Sequence, residues 1–201
     1  MKSLFIGVVA YQRPEALHVL LRSLLAQTNQ DFFCKVYHDG YDPKIELILR
    51  AYRDEYPEQI DFEFTPTRYN DFGHSLRQMA INDAQGDYLL ITNDDNYYVP
   101  VFIENMIARA RKDDSDLVLC DMVHSYDRPG RRDQIPYNFF ETFPRKFNID
   151  VGAMVARTEI AKLVGWRDLR SAGDGTYCDD IVASKDHIKI SKVSQILFVH
   201  N

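Results

Sequence analysis

Gly86-Asp87-Tyr88-Leu89-Leu90-Ile91-Thr92-Asn93-Asp94-Asp95-Asn96 is the stretch that decides how this chain folds. Its apolar run fits a strand buried on both faces, as in parallel sheets, and it leads directly into amides and carboxylates. In an open α/β sheet the ligand crevice lies beyond the C-terminal ends of the strands, so the polar cluster stands where a ligand would bind. The adjacent carboxylates of Asp94 and Asp95 repel each other unless a cation, a helix N-terminus or solvent offsets them. Oxygen donors suit a hard ion such as Mg²⁺ or Mn²⁺, which is commonly held by one or two carboxylates together with substrate phosphates. The implied substrate is a diphosphate. Taken alone, Asn-Asp-Asp-Asn also suits a solvated turn.

Working outward, Leu4 to Val9 reads as another buried strand. Pro14 fits the first turn of a helix whose Leu17, Leu20, Leu21, Leu24 and Leu25 recur at three and four residues, up to Gln27. Phe32 to Tyr37 is a strand, a helix from Pro43 carries Ile45, Ile48, Leu49 and Tyr52 on one stripe, and Ile60 to Phe64 alternates as a strand does. His74 to Ala84 is a helix stopped near Gly86. Beyond the acidic cluster, Pro100 opens a helix, and Asp116 to Val123 forms a strand. Order resumes with Ile149 to Ala156, helices at Thr158 to Val164 and Tyr177 to Ser184, and a closing strand from Ile188 to Val199. Strands alternating with amphipathic helices predict an α/β fold: a single three-layer α/β/α domain over residues 1–201 with a mostly parallel central sheet.

Between Ser125 and Asn148 the pattern breaks, with Pro129, Pro136 and Pro144 among Tyr137, Phe139, Phe140, Phe143 and Phe147. Such a stretch is either a lid or binding loop, or a hydrophobic loop packed on the core. The 201 residues, 45% hydrophobic and 27% charged, have the composition of an ordinary globular domain. A net charge of −6 argues against nucleic acid as a partner, which needs a concentrated basic face. Arg128, Arg131 and Arg132 form a short run that includes Asp127 and Asp133 at its ends and read as a mobile loop. Cys34, Cys120 and Cys178 lie far apart without metal spacing and read as reduced thiols, which points to a cytoplasmic protein. The apolar start, Met1 to Ala10, is too short to span a membrane and lacks a signal-peptide pattern, so no transmembrane segment is expected. Peripheral attachment at a membrane stays open.

Five ordered segments resemble the family 2 glycosyltransferases of the GT-A, nucleotide-diphospho-sugar transferase type. Val8-Val9-Ala10-Tyr11-Gln12-Arg13-Pro14 is similar to that family's first strand and T-Y-N-R-P loop. Val36-Tyr37-His38-Asp39-Gly40 is similar to its V-D-D-G-S segment, with His38 in place of the first aspartate and Tyr41 in place of the serine. Asn70-Asp71-Phe72-Gly73 with Arg77, and Ala84-Gln85-Gly86-Asp87-Tyr88, resemble the N-x-G, A-R-N and A-x-G-D-Y stretches. The acidic cluster resembles the metal-binding D-x-D region, with Tyr98-Val99-Pro100 behind it.

The resemblance implies an inverting, metal-dependent transferase that moves a sugar from a nucleotide-diphosphate sugar to the hydroxyl of a glycan or other acceptor. Uridine is favoured as donor base by family frequency. Residues 1–99 would bind the nucleotide sugar and residues 100–201 the acceptor. Tyr11 and Asp39 would take the base, Asp94 the ribose or a metal-bound water, and Arg13 and Arg77 the polar groups of the donor; either arginine also suits a surface position. Asp95, Asn96 and His200 would face Mn²⁺ or Mg²⁺, although Asn96 stands where the family often has a charged aspartate. The general base would be Asp174, in Gly173-Asp174-Gly175, with Asp179 and Asp180 as rivals. An alternative is a nucleotide-sugar-binding protein in which His38 and Asn96 have removed turnover. A nucleotidyltransferase ranks lower, because Ala10-Tyr11-Gln12-Arg13 has no glycine to cradle a triphosphate.

Overall fold

The computed structural model describes residues 2–125 and 137–201. The basic run Arg128, Arg131 and Arg132, with Asp127, Asp133, Pro129 and Pro136, lies outside the described residues. In chain order the elements are β1 (Leu4–Ala10), α1 (Pro14–Leu25), β2 (Phe32–His38), α2 (Pro43–Glu55), β3 (Ile60–Phe64), α3 (His74–Asp83) and β4 (Tyr88–Asn93). There follow β5 (Tyr97–Tyr98), α4 (Phe102–Asp113), β6 (Leu117–Ser125), β7 (Tyr137–Phe140), β8 (Met154–Arg157), α5 (Thr158–Val164), α6 (Gly173–Val182) and β9 (Ile190–His200).

The strands form one sheet in the order β3-β2-β1-β4-β8-β6-β9-β5, with β7 added beside β6. β1 pairs in parallel with both β2 and β4, and β2 with β3. The antiparallel β8 then returns the direction to β6, which is parallel to β9. β1, β2, β3, β4, β6 and β9 therefore run the same way, and the sheet is mostly parallel, as the alternation of strands and helices predicts.

The apolar runs bury as expected: every residue of β1 is buried, and β4 is buried from Tyr88 to Thr92. Leu17, Leu20, Leu21 and Leu24 of α1 are inaccessible to solvent. Asp42 caps α2 by accepting from the Lys44 and Ile45 amides. All three cysteines are buried and free. Among the described residues no helix is long and apolar enough to cross a membrane.

Four local differences from the sequence reading bear on the site. Ile149 to Ala156 is not continuously extended: Val151–Ala153 is a 3₁₀ turn, because the Asp150 side chain accepts from the Gly152 amide and turns the chain before β8. Inside the aperiodic stretch, Tyr137–Phe140 is a strand paired antiparallel with Met122 to Ser125. Helix α6 begins at Gly173 rather than Tyr177, so Asp174 lies in its first turn. A two-residue strand, β5, pairs Tyr97 and Tyr98 with Val199 and Phe198 and carries the chain's last residues onto the acidic cluster.

Candidate functional site

The parallel register sets the C-terminal ends of β1, β2 and β4 side by side, with Ala10 opposite His38 and Val9 opposite Asn93. A cleft of about 400 Å³ opens there, and it brings together Tyr11, Arg13, Asp39, Arg77, Asp94, Asp95 and His200. A larger hollow of about 670 Å³ lies at the opposite edge of these strands, around Lys2, Phe5, Phe33 and Lys35. That edge is the N-terminal one, where open sheets do not place their ligands.

On one wall the Arg68 guanidinium covers the Tyr11 ring, 4.0 Å from its centroid. Asp39 is buried and accepts from the backbone amides of Tyr69 at 2.6 Å and Asn70 at 3.0 Å, so it organises the loop after β3. That loop and the one after β1 hold non-glycine residues in left-handed backbone: Gln12 at φ 50°, Asn70 at φ 54° and Phe72 at φ 58°. Phe72 is 91% exposed at the cleft rim. His38, the departure from the family pattern, points inward: its Nε2 accepts from the Gln12 amide at 3.2 Å, so Nδ1 carries the proton donated to the Gly40 carbonyl at 2.6 Å. It ties the loops after β1 and β2 together.

Arg77 is buried, not a surface cation. Its Nη1 donates to the Phe72 carbonyl and its Nη2 to Asn93 Oδ1, both at 2.8 Å, while its guanidinium lies 5.1 Å from the centroid of the Trp166 ring. Asp94 accepts from the Tyr11 amide at 2.9 Å and from Arg13 Nη1 at 3.2 Å. Burial pushes its carboxyl up to about 7, against the pull of the Tyr11 amide and Arg13. Arg13 also pairs with Asp95.

Among the described residues no three His, Cys, Asp or Glu side chains gather into a ready-made cation site. The donors nevertheless fit a hard divalent ion shared with phosphates. Asp95 and His200 border the same cleft, and Asp95 Oδ1 is a buried oxygen without a hydrogen-bond partner. Asn96 does not line the cleft: it is almost wholly buried, and its Nδ2 donates to Thr92 Oγ1 at 3.0 Å.

Asp174, Asp179 and Asp180 all ride on α6, but only Asp174 faces the turn beside His200. Its Oδ2 accepts from the Val151 amide at 3.4 Å. Two glycines let α6 approach: a Cβ on Gly173 would stand 2.8 Å from the Asp168 carbonyl oxygen, and one on Gly175 would stand 2.8 Å from Lys146 Cα. Asp179 is held by the Lys146 amide at 3.0 Å, and Asp180 receives both Nε and Nη2 of Arg167 at 2.6 and 2.8 Å.

Asp150, which the sequence reading did not single out, contacts His200 of the cleft. Its Oδ1 accepts from the Gly152 amide at 2.8 Å, and its Oδ2 lies 3.3 Å from His200 Nε2. Burial first, and the neighbouring charge of Asp174 second, raise its carboxyl well above the usual range. The available signal was Asp150-Val151-Gly152, an aspartate two residues before a glycine, which suits a side-chain-capped turn.

A family model described as Glycosyl transferase family 2 matches residues 5–160. No curated protein sequence matches the chain significantly. Among solved structures, S. aureus TarS residues 1–349 superposes with a TM-score of 0.79 at 20% identity, over 99% of this chain and 60% of that one. The same TarS segment in complex with UDP-GlcNAc gives 0.78 at 18% identity, over 98% and 58%. The mannosyltransferase PcManGT from Pyrobaculum calidifontis, in complex with GDP-Man and Mn²⁺, gives 0.76 at 15% identity, over 99% and 56%. The chain thus spans about three fifths of the length of these structures, which share its fold. The family model runs from β1 through the acidic cluster into α5, over most of the strands and loops that build the cleft, and the chain belongs to glycosyl transferase family 2.

Proposed function

We propose that this chain transfers a sugar from a nucleotide-diphosphate sugar, UDP-linked, to an acceptor hydroxyl with inversion at the anomeric carbon. The observation that carries this reading is the convergence of Asp39, Arg77, Asp94 and Asp95 on one cleft at the C-terminal strand ends. Residues 1–99 supply the donor half and residues 100–201 the acceptor half. Tyr11 and Asp39 receive the base, Asp94 the ribose, and Arg13 and Arg77 the polar groups of the donor. Asp95 and His200 hold a divalent cation, Mn²⁺ or Mg²⁺, which when bound neutralises the leaving diphosphate. Asn96, turned toward Thr92, shapes the turn that presents Asp95.

Asp174 takes the proton from the acceptor hydroxyl as that oxygen bonds to the anomeric carbon and the bond to the diphosphate breaks. Asp179 and Asp180 stand one and two residues past the next turn of α6 and are engaged by Lys146 and Arg167, which favours Asp174 as the base. Turnover is favoured over simple binding because His38 braces loops behind the cleft instead of lining it. The TarS complex with UDP-GlcNAc and the mannosyltransferase complex with GDP-Man and Mn²⁺ support a nucleotide-sugar donor and a divalent ion.

The test is calorimetric titration of nucleotide diphosphates and nucleotide sugars, with Mn²⁺ and with chelator, on wild type and Asp95→Ala. Metal-dependent binding of one nucleotide that the variant loses is the expected result. Absence of binding by any nucleotide overturns the reading.

A further inference from the structure

The side chains of Asp150, His200, Tyr98 and Phe198 meet around the turn before β8. Asp150 is about nine-tenths buried, and a buried carboxylate is stable only when its oxygens are satisfied. One oxygen takes the Gly152 amide, and the other faces His200 Nε2 at 3.3 Å. The turn cannot drift. A Cβ on Gly152 would stand 2.6 Å from Cζ of Phe198, and the fully buried Tyr98 hydroxyl donates to the Gly152 carbonyl at 3.0 Å. Phe198 belongs to the strand that carries His200, so the position of Asp150 is fixed against the backbone that delivers the imidazole. The His200 ring is stacked on His124, its register partner on β6, with centroids 4.4 Å apart and planes 17° from parallel.

We propose that Asp150 is a positioning residue that orients His200 for the divalent cation of the donor site. This inference rests on the donor-site reading above. A metal-binding histidine commonly engages a carboxylate through its second ring nitrogen, which fixes its tautomer and ring plane, and loss of that partner weakens metal affinity about 10- to 100-fold. Asp150 fills this place from a rigid turn, whereas an exposed carboxylate would leave the ring free to rotate. The amide of Val151, between Asp150 and Gly152, donates to Asp174, so the same turn also spaces the cation side from the proposed base.

The experiment measures Mn²⁺ affinity by electron paramagnetic resonance in the presence of UDP, for wild type, Asp150→Asn, His200→Ala and the double variant. Asparagine keeps an oxygen for the Gly152 amide but offers His200 a donor where an acceptor stood. Mn²⁺ affinity is expected to fall about 10- to 100-fold in Asp150→Asn, and the double variant should bind no more weakly than His200→Ala alone. Wild-type affinity in Asp150→Asn, or losses that multiply in the double variant, overturns the proposal. Nitrogen chemical shifts of His200 in the unaltered protein give a check that does not depend on variants folding: Nε2 should carry the proton, and a proton on Nδ1 overturns the proposal. If wild type binds no Mn²⁺ with any nucleotide, the donor-site reading fails and the proposal with it; wild-type binding with an unaffected variant overturns the proposal alone.

Discussion

The side-chain amide of Asn201 donates to the backbone carbonyl of Asp95 at 2.7 Å, across 106 positions of sequence. Together with the pairing of Tyr97 and Tyr98 to β9, this contact braces the acidic turn with the far end of the described chain. The cluster is therefore a tertiary construction, although its residues are consecutive.

The three aspartates of α6 should separate cleanly. Asp174→Asn is expected to lower kcat by about 10²- to 10⁴-fold, the range of general-base catalysis, with donor affinity little changed. Asp180→Asn removes only an ion pair with the exposed Arg167, so stability should change little and kcat should stay near wild type. Steady-state kinetics on both variants decides, and the reverse ranking would move the base down the helix.

Arg77→Lys is not a conservative change here. One ammonium cannot reach the Phe72 carbonyl and Asn93 Oδ1 with the planar fork that now spans them. Loss of a charged hydrogen bond should destabilise the fold by about 1.5–3 kcal/mol. UDP affinity should fall in parallel, read by thermal melting and calorimetry on the same sample.

Gly152→Ala tests the crowding around the Asp150 turn. With Phe198 and the Tyr98 hydroxyl on either side, the added methyl must push a packed aromatic, an overpacking cost of about 1–3 kcal/mol. A lowered melting temperature is expected, and an unchanged one would mean that β9 yields easily.

Two buried carboxylates give stability opposite dependences on pH. Burial would raise Asp116, but the Lys189 amide and Lys185 bring it below the ordinary value, so its stabilising contribution is present above about pH 4 and is lost as pH falls further. Asp94 is raised to about 7, so its contribution is present below about pH 4, the unfolded value, and is lost as pH rises through 7. Asp116→Asn should flatten the acid limb of a melting-temperature profile, and Asp94→Asn the limb between pH 4 and 8. Variants that leave both limbs unchanged would remove these carboxylates as their source.

The parallel half of the sheet was legible because β1 and β4 are buried on both faces and therefore spell apolar runs, while β2 alternates buried and half-buried residues over Phe32–Val36, as a strand does. Asp94 and Asp95 were legible because one strand tip delivers them both. Asp150 was not, since its partners, Asp174 and His200, lie 24 and 50 residues away and meet it only through packing. β5 is too short for any period to register, and the start of α6 was hidden by glycines that tertiary crowding, not local propensity, demands. Arg77 suited a donor contact and a surface position equally, because nothing in α3 itself announces that Trp166 will lie against its guanidinium.

Gln12, Asn70 and Phe72 adopt backbone that side chains disfavour, and all three sit on loops around the cleft. Glycine at any of them would relax the backbone, so directed evolution for heat resistance should find these positions early. The same relaxation would let the loops sample many shapes before a ligand arrives, and heat-tolerant winners should capture their ligand more slowly and hold it less tightly.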